Sequence, residues 1–165
     1  MSQQHGSERH LTATGFVVHN GRTLLHWHRK NQRWLPFGGH LEANEDPVQC
    51  VLREVEEETG IAVEIYGAAA PFTFSTPRQI PPPVTILIEA VTDGSQAHEH
   101  IDLIYFCRPR GGIVPALAAD PTFRWLDAAA LRANAPIAPD PGGVSTQIPE
   151  DVRLLALEAL RLAEE

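Results

Sequence analysis

The hydrophobic pattern near the start of the chain predicts a β-hairpin. Residues 11–19 are mostly apolar or β-branched, and a similar alternation resumes over residues 23–28. Between them, Asn20 and Gly21 form a pair that favours a type I′ turn, in which both residues take positive φ. We therefore expect two antiparallel strands joined by a tight turn.

Apolar residues then recur with the period of an α-helix. The positions at i, i+3, i+4 and i+7 are Val48, Val51, Leu52 and Val55. Asp46 is a suitable N-cap, Pro47 a suitable first residue, and Gln49 can close a capping box. Gly60 suits the C-terminal stop. The pattern predicts a helix over residues 47–59 with its valine stripe buried.

Later segments alternate between apolar runs and breaks rich in proline or glycine, which is typical of strands joined by loops. The predicted strands cover residues 61–69, 84–91, 101–107 and 123–126. A second helical pattern covers residues 150–165, and residues 136–143 are predicted to be a loop. The apolar side of this last helix consists of Val152, Leu155, Ala159 and Leu162. Together these elements predict an α/β fold with a mixed sheet.

Size and charge narrow the function. A chain of 165 residues that is 43% hydrophobic is expected to form one domain over residues 1–165. Its 21 acidic residues outnumber 13 Lys and Arg, and the net charge of −8 argues against a broad nucleic-acid-binding surface. If the ligand carries phosphates, another source of positive charge is required.

The remaining composition bears on the compartment. Cys50 and Cys107 lie in a predicted helix and a predicted strand, a poor basis for a disulfide framework, and indicate a reducing cytoplasm. The first ten residues are polar, and no apolar run approaches the ~20 residues that cross a bilayer. We expect a cytoplasmic protein without membrane association.

Three carboxylates share one face of the first predicted helix. Glu54, Glu57 and Glu58 stand at i, i+3 and i+4, and Arg53 is the one cation among seven acidic residues between Glu42 and Gly60. Like charges at this spacing destabilise a helix by roughly 0.2–0.5 kcal/mol per pair. Mg²⁺ or Mn²⁺, which prefer oxygen ligands, would remove the repulsion. Considered alone, the helix is more simply explained as a solvated charged face.

The wider motif favours the metal. The string Gly39-x5-Glu45-x7-Arg53-Glu54-Val55-x-Glu57-Glu58-x-Gly60-Ile61 resembles the Nudix box of the Nudix hydrolase family at every defined position. The resemblance implies an α/β/α sandwich with a mixed β-sheet between helices. Phe37 stands where the family often has proline directly before the two glycines, and Pro36 lies one step earlier.

The resemblance also implies roles for residues of the box. The implied metal ligands are the carboxylates of Glu54, Glu57 and Glu58 and the carbonyl of Gly39. Arg53 would orient the carboxylates through charge-assisted hydrogen bonds. Glu45 would help to hold the ligands in position without contacting the metal itself. Glu54, Arg53 and Glu57 are thus the implied catalytic residues.

The implied reaction is attack of a metal-activated water on phosphorus, which cleaves a phosphoanhydride bond. The identity of the general base in this reaction is left open. Glu54 is one candidate, and some members of the family use a carboxylate from a loop outside the box. Here Glu99 and Asp102 are the candidates for such an extra carboxylate.

The segment before the box contains the candidates for substrate binding. They are Arg29, Arg33, Trp34 and Gly38. The basic run over residues 29–33 would meet distal phosphates, with a solvated turn as the equal alternative. Trp34 would stack on a nucleobase, an interaction worth ~1–3 kcal/mol in single-strand binders. Core packing is the alternative for Trp27.

Two histidine pairs, His26 with His28 and His98 with His100, each lie on one side of a predicted strand. Either pair could be a set of metal ligands. Since neither has a clear third ligand, surface or substrate-contacting histidines are the favoured interpretation.

The substrate class remains broad. The implied substrate is a small-molecule nucleoside diphosphate linked to another group, including nucleoside triphosphates. Pro77, about sixteen positions after the box, resembles the subgroup that hydrolyses ADP-ribose, so an ADP-ribose or nucleotide-sugar pyrophosphatase is one alternative. A non-catalytic nucleotide-sensing module of the same fold is another. A homodimer is also compatible, because dimers are common in the family.

Overall fold

The computed structural model describes residues 8–67, 72–93, 96–114 and 120–164. Within these residues the strands are β1 (Arg9–His19), β2 (Arg22–His28), β3 (Arg33–Leu35), β4 (Phe37–His40), β5 (Val63–Tyr66), β6 (Thr85–Asp93), β7 (Gln96–Pro109) and β8 (Phe123–Asp127). The helices are α1 (Pro47–Thr59), α2 (Ala128–Ala133) and α3 (Glu150–Ala163). A short 3-10 turn, Arg110–Gly112, follows β7.

The strands form one mixed sheet around β1. One edge of β1 pairs antiparallel with β2 near its end and with β4 nearer its start. The other edge pairs parallel with β7. Strands β5 and β6 both pair antiparallel with β7, while β3 and β8 pair with β2. The predicted hairpin of β1 and β2 is confirmed, with Asn20 and Gly21 both at positive φ.

Helix α1 has the predicted bounds and caps. The Asp46 side chain accepts from the backbone N–H of Gln49, and the Gln49 side chain accepts in return from the N–H of Asp46. Gly60 ends the helix in the left-handed conformation, with φ of 71°. Such caps are each worth about 1 kcal/mol. Local sequence is therefore sufficient to define where this helix begins and ends.

The sheet has a hydrophobic core on each face. One core lies under α1, where Val51 and Val55 pack with Phe37 and Tyr105 of the sheet. The other lies under α3, where Val152 packs in a cluster of buried side chains that includes Phe16, Phe106 and Ala156. The predicted α/β/α sandwich is confirmed. Of the predicted stripe of α1, Val48 and Leu52 are only partly buried.

The structure differs from the sequence predictions in several segments. Residues 34–39, for which no strand was predicted, contribute to the short strands β3 and β4, because β1 and β2 offer open edges for pairing. Strand β7 begins at Gln96, five residues before the predicted start, because β1 and β6 pair with it along that length. The expected ends at Ala69 and Glu165 lie outside the described residues.

Helix α2 was not predicted. It has six residues, too few for an apolar period to be visible, and its N-cap Asp127 accepts from the N–H of Ala130. Among the described residues, no helix is long and apolar enough to cross a membrane.

Candidate functional site

A cleft of about 380 Å³ opens beside β4 and the first turn of α3. Its volume lies within the range of ~300–1,000 Å³ that is usual for small-molecule sites. Its walls include residues of β1, β4, β6 and β7, together with Glu58 of α1 and Asp151 of α3. The cleft is therefore large enough for a small ligand and brings distant parts of the chain together.

Strand β7 forms one side of the cleft with the side chains of alternate residues. His98, His100 and Asp102 line the cleft, whereas Glu99 does not. The Glu99 carboxylate instead accepts from Nε of Arg9 at 2.8 Å. Both candidates for the extra carboxylate lie in strand β7, whereas the strand predicted over residues 101–107 included Asp102 but not Glu99. Only Asp102 is placed where it can meet a ligand.

Asp102 is a buried acid. Its carboxylate accepts from the Thr12 hydroxyl at 2.8 Å, and these two residues are paired in the register of β1 and β7. Burial raises the pKa of Asp102, although hydrogen bonds from Thr14 and Thr12 oppose the shift. Burial also raises the pKa of the neighbouring Glu89 on β6. The cleft therefore contains two carboxyl groups whose pKa values burial holds above the usual range.

Arg53 gathers three box carboxylates. Its Nε and one terminal nitrogen donate to the two oxygens of Glu45, each at 2.9 Å. The other terminal nitrogen donates to Glu54 at 2.7 Å and to Glu57 at 3.3 Å. These hydrogen bonds lower the pKa of Glu45 and raise that of Arg53. A lysine has no planar fork and cannot reproduce this pattern.

The paired glycines of β4 allow a close approach of α1 at Gly39 and of β1 at Gly38. A Cβ added at Gly39 would collide with the Glu54 carboxylate, and one at Gly38 would collide with the Ala13 carbonyl. The backbone N–H of Gly38 donates to Glu58, and the Gly39 carbonyl accepts from the Cys50 thiol at 3.5 Å. The strand thus presents backbone groups directly to the acidic face of the helix.

The electrostatics at this end of the cleft favour a cation. Loss of solvation and the negative charges of Glu54 and Glu57 raise the pKa of Glu58 to about 7. All the donors, three carboxylates and the Gly39 carbonyl, are oxygens, which is the chemistry that Mg²⁺ and Mn²⁺ prefer. The residues present fit such an ion.

Of the four predicted substrate-binding residues, Gly38 lines the cleft and the other three do not. Trp34 is fully buried and its indole N–H donates to the Ile137 carbonyl at 3.1 Å, so the prediction that it stacks on a nucleobase is wrong. It lies in the core because its strand pairs with β2 under the segment that contains Ile137.

The two arginines of the basic run also do not lie where they were expected to meet a substrate. Arg29 and Arg33 are exposed and do not line the cleft, and Arg33 borders a separate groove beside the start of α3. Lys30 lines the cleft instead. The turn after β2 points alternate residues of this run in different directions, which composition alone could not reveal. Trp27 packs edge-on against Trp34, with ring centroids 5.5 Å apart.

The two histidine pairs, for which surface or substrate-contacting residues were the favoured interpretation, line the cleft. His26 and His28 line the cleft, and burial, with a smaller effect of His28, lowers the pKa of His26 to about 4. His98 and His100 also line it. His10 of β1 lies beside them as a third imidazole, which was not identified from the sequence. Only the register of β1 against β7 could have identified His10.

Comparisons with known proteins agree with this geometry. A family model described as "NUDIX domain" matches residues 9–147. A "MutT-like protein" of Streptomyces ambofaciens is 31% identical over 117 residues, which are 70% of this chain and 62% of the relative. The chain therefore spans less than two thirds of that relative's length.

Solved structures are similar as well. A NUDIX-family hydrolase from Clostridium perfringens has a TM-score of 0.73 and 28% identity, and the match covers 94% of this chain and 99% of that one. A NUDIX hydrolase from Nitrosomonas europaea has a TM-score of 0.55 and 16% identity, over 96% and 92% of the two chains. The second likeness concerns the fold alone.

Proposed function

Because the chain belongs to the Nudix hydrolase family, we propose that it hydrolyses the pyrophosphate bond of a nucleoside diphosphate linked to another group, such as a nucleoside triphosphate. The observation that supports this most strongly is that Arg53 bonds to Glu54 and Glu57 while the Glu54 carboxylate packs against Gly39 of β4. A solvated charged face would not need a glycine packed against one of its carboxylates.

The proposed activity depends on a divalent cation, Mg²⁺ or Mn²⁺. Glu54, Glu57, Glu58 and the Gly39 carbonyl would hold it. When bound, the ion acts as a Lewis acid and neutralises negative charge on the phosphoryl oxygens. It is also the positive charge that a chain of net charge −8 otherwise lacks for an anionic substrate.

The chain's own groups would position the substrate and move the proton. Gly38 exposes backbone in the cleft, where a phosphate can approach it closely, and Lys30 adds a positive charge to the cleft wall. We assign Glu54 as the general base, since it lies against Gly39, and keep Asp102 as the second candidate because it faces the cleft. A pH–rate profile whose acidic limb changes in Glu54→Gln but not in Asp102→Asn would support this assignment.

Further properties are proposed on narrower grounds. Cys50 and Cys107 are buried free thiols, which supports a reducing, cytoplasmic location. The acid-lined cleft and the net charge support a small nucleotide as the partner in preference to a nucleic acid. A homodimer stays a prediction, which sedimentation measurements can test.

The test is product release from nucleoside triphosphates, ADP-ribose, nucleotide sugars and dinucleoside polyphosphates, each with Mg²⁺, Mn²⁺ or a chelator. Metal-dependent turnover of any of these would support the proposal and name the substrate group. Turnover of ADP-ribose or nucleotide sugars without triphosphates would favour the narrower pyrophosphatase. Nucleotide binding without any turnover would overturn the proposal in favour of a sensing module.

A further inference from the structure

Three histidines from two strands lie close together, and two of them, His98 and His100, line the cleft. His10 lies on β1, and His98 and His100 lie on β7. The parallel register places His10 directly opposite His100, and alternation puts His98 on the same face. His40 of β4 borders the group, with its ring 4.7 Å from that of His100. We call His10, His98 and His100 the histidine cluster.

The distances within the histidine cluster suit a shared metal ion. One ring nitrogen from each member lies within 4.8 Å of the others. The Nε2 atoms of His98 and His100 are 3.1 Å apart. Two nitrogens bound to one tetrahedral Zn²⁺ at 2.0–2.1 Å lie about 3.3 Å from each other. The cluster therefore needs only small movements to coordinate one ion.

The surroundings favour a cation at this position. All three members are partly buried, which restricts their side chains before any ligand arrives. Nε2 of His10 lies 3.3 Å from the Glu8 carboxylate, and Glu89 is the register partner of His100 on β6. Neighbouring acids stabilise a positive charge held by neutral imidazoles.

We propose that the histidine cluster is a second metal site, which binds Zn²⁺ or a chemically similar ion through three imidazoles. Imidazole nitrogens suit such ions and are poor ligands for Mg²⁺, so the two sites of the cleft select different metals. Three protein ligands leave a fourth position for water or a ligand group. The ion would add positive charge to a cleft wall that includes Glu89 and Asp102. This inference does not depend on the proposed hydrolysis.

The competing explanation is a hydrogen-bonded pair of imidazoles. One Nε2 of His98 or His100 would donate to the other, as their separation of 3.1 Å permits, and no metal would be needed. This explanation and the proposal differ in whether the cluster binds a metal when one is offered.

The test is a titration of the metal-free full chain with Co²⁺, in a large excess of Mg²⁺ that occupies the carboxylates. We expect one Co²⁺ per chain, with the intense visible absorption of a four-coordinate ion. His98→Gln and His100→Gln should each weaken Co²⁺ binding at least about 100-fold. This is more than the 10–100-fold loss that is typical when a residue that hydrogen-bonds to a metal ligand is replaced. His28→Gln, in the same cleft, and Glu57→Gln should bind Co²⁺ as the unchanged protein does.

Two outcomes would overturn the proposal: no visible absorption at any Co²⁺ concentration, or absorption that survives both cluster variants. X-ray absorption of the Zn²⁺-loaded unchanged protein covers the case in which the variants do not fold. Scattering from three imidazoles at about 2.0–2.1 Å would support the site. A shell of oxygens without imidazole would contradict it.

Discussion

The two candidate metal sites of the cleft differ in how the chain builds them. The carboxylates of the box lie within five consecutive residues of one helix, Glu54 to Glu58. The histidine cluster joins His10 to residues about 90 positions later, across a parallel strand pair. Helical spacing brings the first set together in any α-helix, whereas the second set exists only in the correct sheet register.

The sites also differ in what holds them together without a metal. The carboxylates repel each other, and Arg53 offsets this by bonding to Glu45, Glu54 and Glu57. The histidines are brought together by the strand register, and His98 and His100 also contact each other through their Nε2 atoms. The comparison teaches that the carboxylate site relies on Arg53 to offset its like charges, while the histidine cluster relies on the strand register.

The largest expected effect comes from removing one box carboxylate. Glu57→Gln should preserve the fold, because the side chain is 61% exposed and lies off the buried stripe. It should lower kcat by about 10²–10³-fold, since a bound metal contributes several kcal/mol and each 1.36 kcal/mol is tenfold. Steady-state kinetics at saturating Mg²⁺ on a substrate from the panel checks this.

Glu56→Gln is the matched control for that experiment. It removes the same charge from the preceding residue of the helix, which is exposed and lies outside the Arg53 network. Its activity should stay near that of the unchanged protein. Equal activity in both variants would remove Glu57 from the metal site.

Arg53→Lys should have the next largest effect. Lysine keeps the charge but loses the fork that bonds both oxygens of Glu45, so the carboxylates lose their common anchor. We expect a 10–100-fold loss of activity, the range typical of residues behind metal ligands, and a higher half-saturating Mg²⁺ concentration. Arg108→Lys, in an exposed pair with Glu64, is the control and should leave both values unchanged.

Gly39→Ala tests the close approach of strand and helix. The new Cβ would displace the Glu54 carboxylate, at a cost of about 1–3 kcal/mol for overpacking. We expect about tenfold lower activity if about 1.4 kcal/mol of this cost falls on the transition state. Thermal unfolding and kinetics measure the two effects. Unaltered values for both would mean that Glu54 has room to move and that the glycine has no structural role here.

The last prediction concerns His26, a buried imidazole of the cleft that lies outside the histidine cluster. The pKa of His26 falls from 6.5 to about 4, mainly through burial, so the ring stays neutral in the folded protein at neutral pH. Its contribution to stability is complete above pH 6.5 and is lost as pH falls towards 4. Between pH 7.5 and pH 5 the loss should be about 2 kcal/mol.

Urea unfolding at these two pH values measures the contribution of His26. His26→Gln should lose less stability over this interval than the unchanged protein, by about the same 2 kcal/mol. His19→Gln, which lies beside Trp125 away from the cleft, should behave as the unchanged protein. A His26→Gln variant with an unaltered pH dependence would show that the ring is not buried as described.

Local signals in the sequence were sufficient for the hairpin, for α1 and for the box, because turn, cap and helical period act over a few residues. They were insufficient where tertiary pairing decides. Trp34 was misplaced because only the contact with Ile137 shows that its ring is buried. Glu99 and Asp102 could not be separated until alternation along β7 put one outside the cleft. His10 could not be found at all without the register.

The most direct measurement of the central claim is Mn²⁺ binding, followed by electron paramagnetic resonance, to the unchanged protein, Glu57→Gln and His98→Gln. Manganese prefers oxygen donors, so the account places its binding at the box carboxylates. We predict that Glu57→Gln weakens Mn²⁺ binding strongly while His98→Gln leaves it unchanged. Undiminished Mn²⁺ binding in Glu57→Gln would contradict the account.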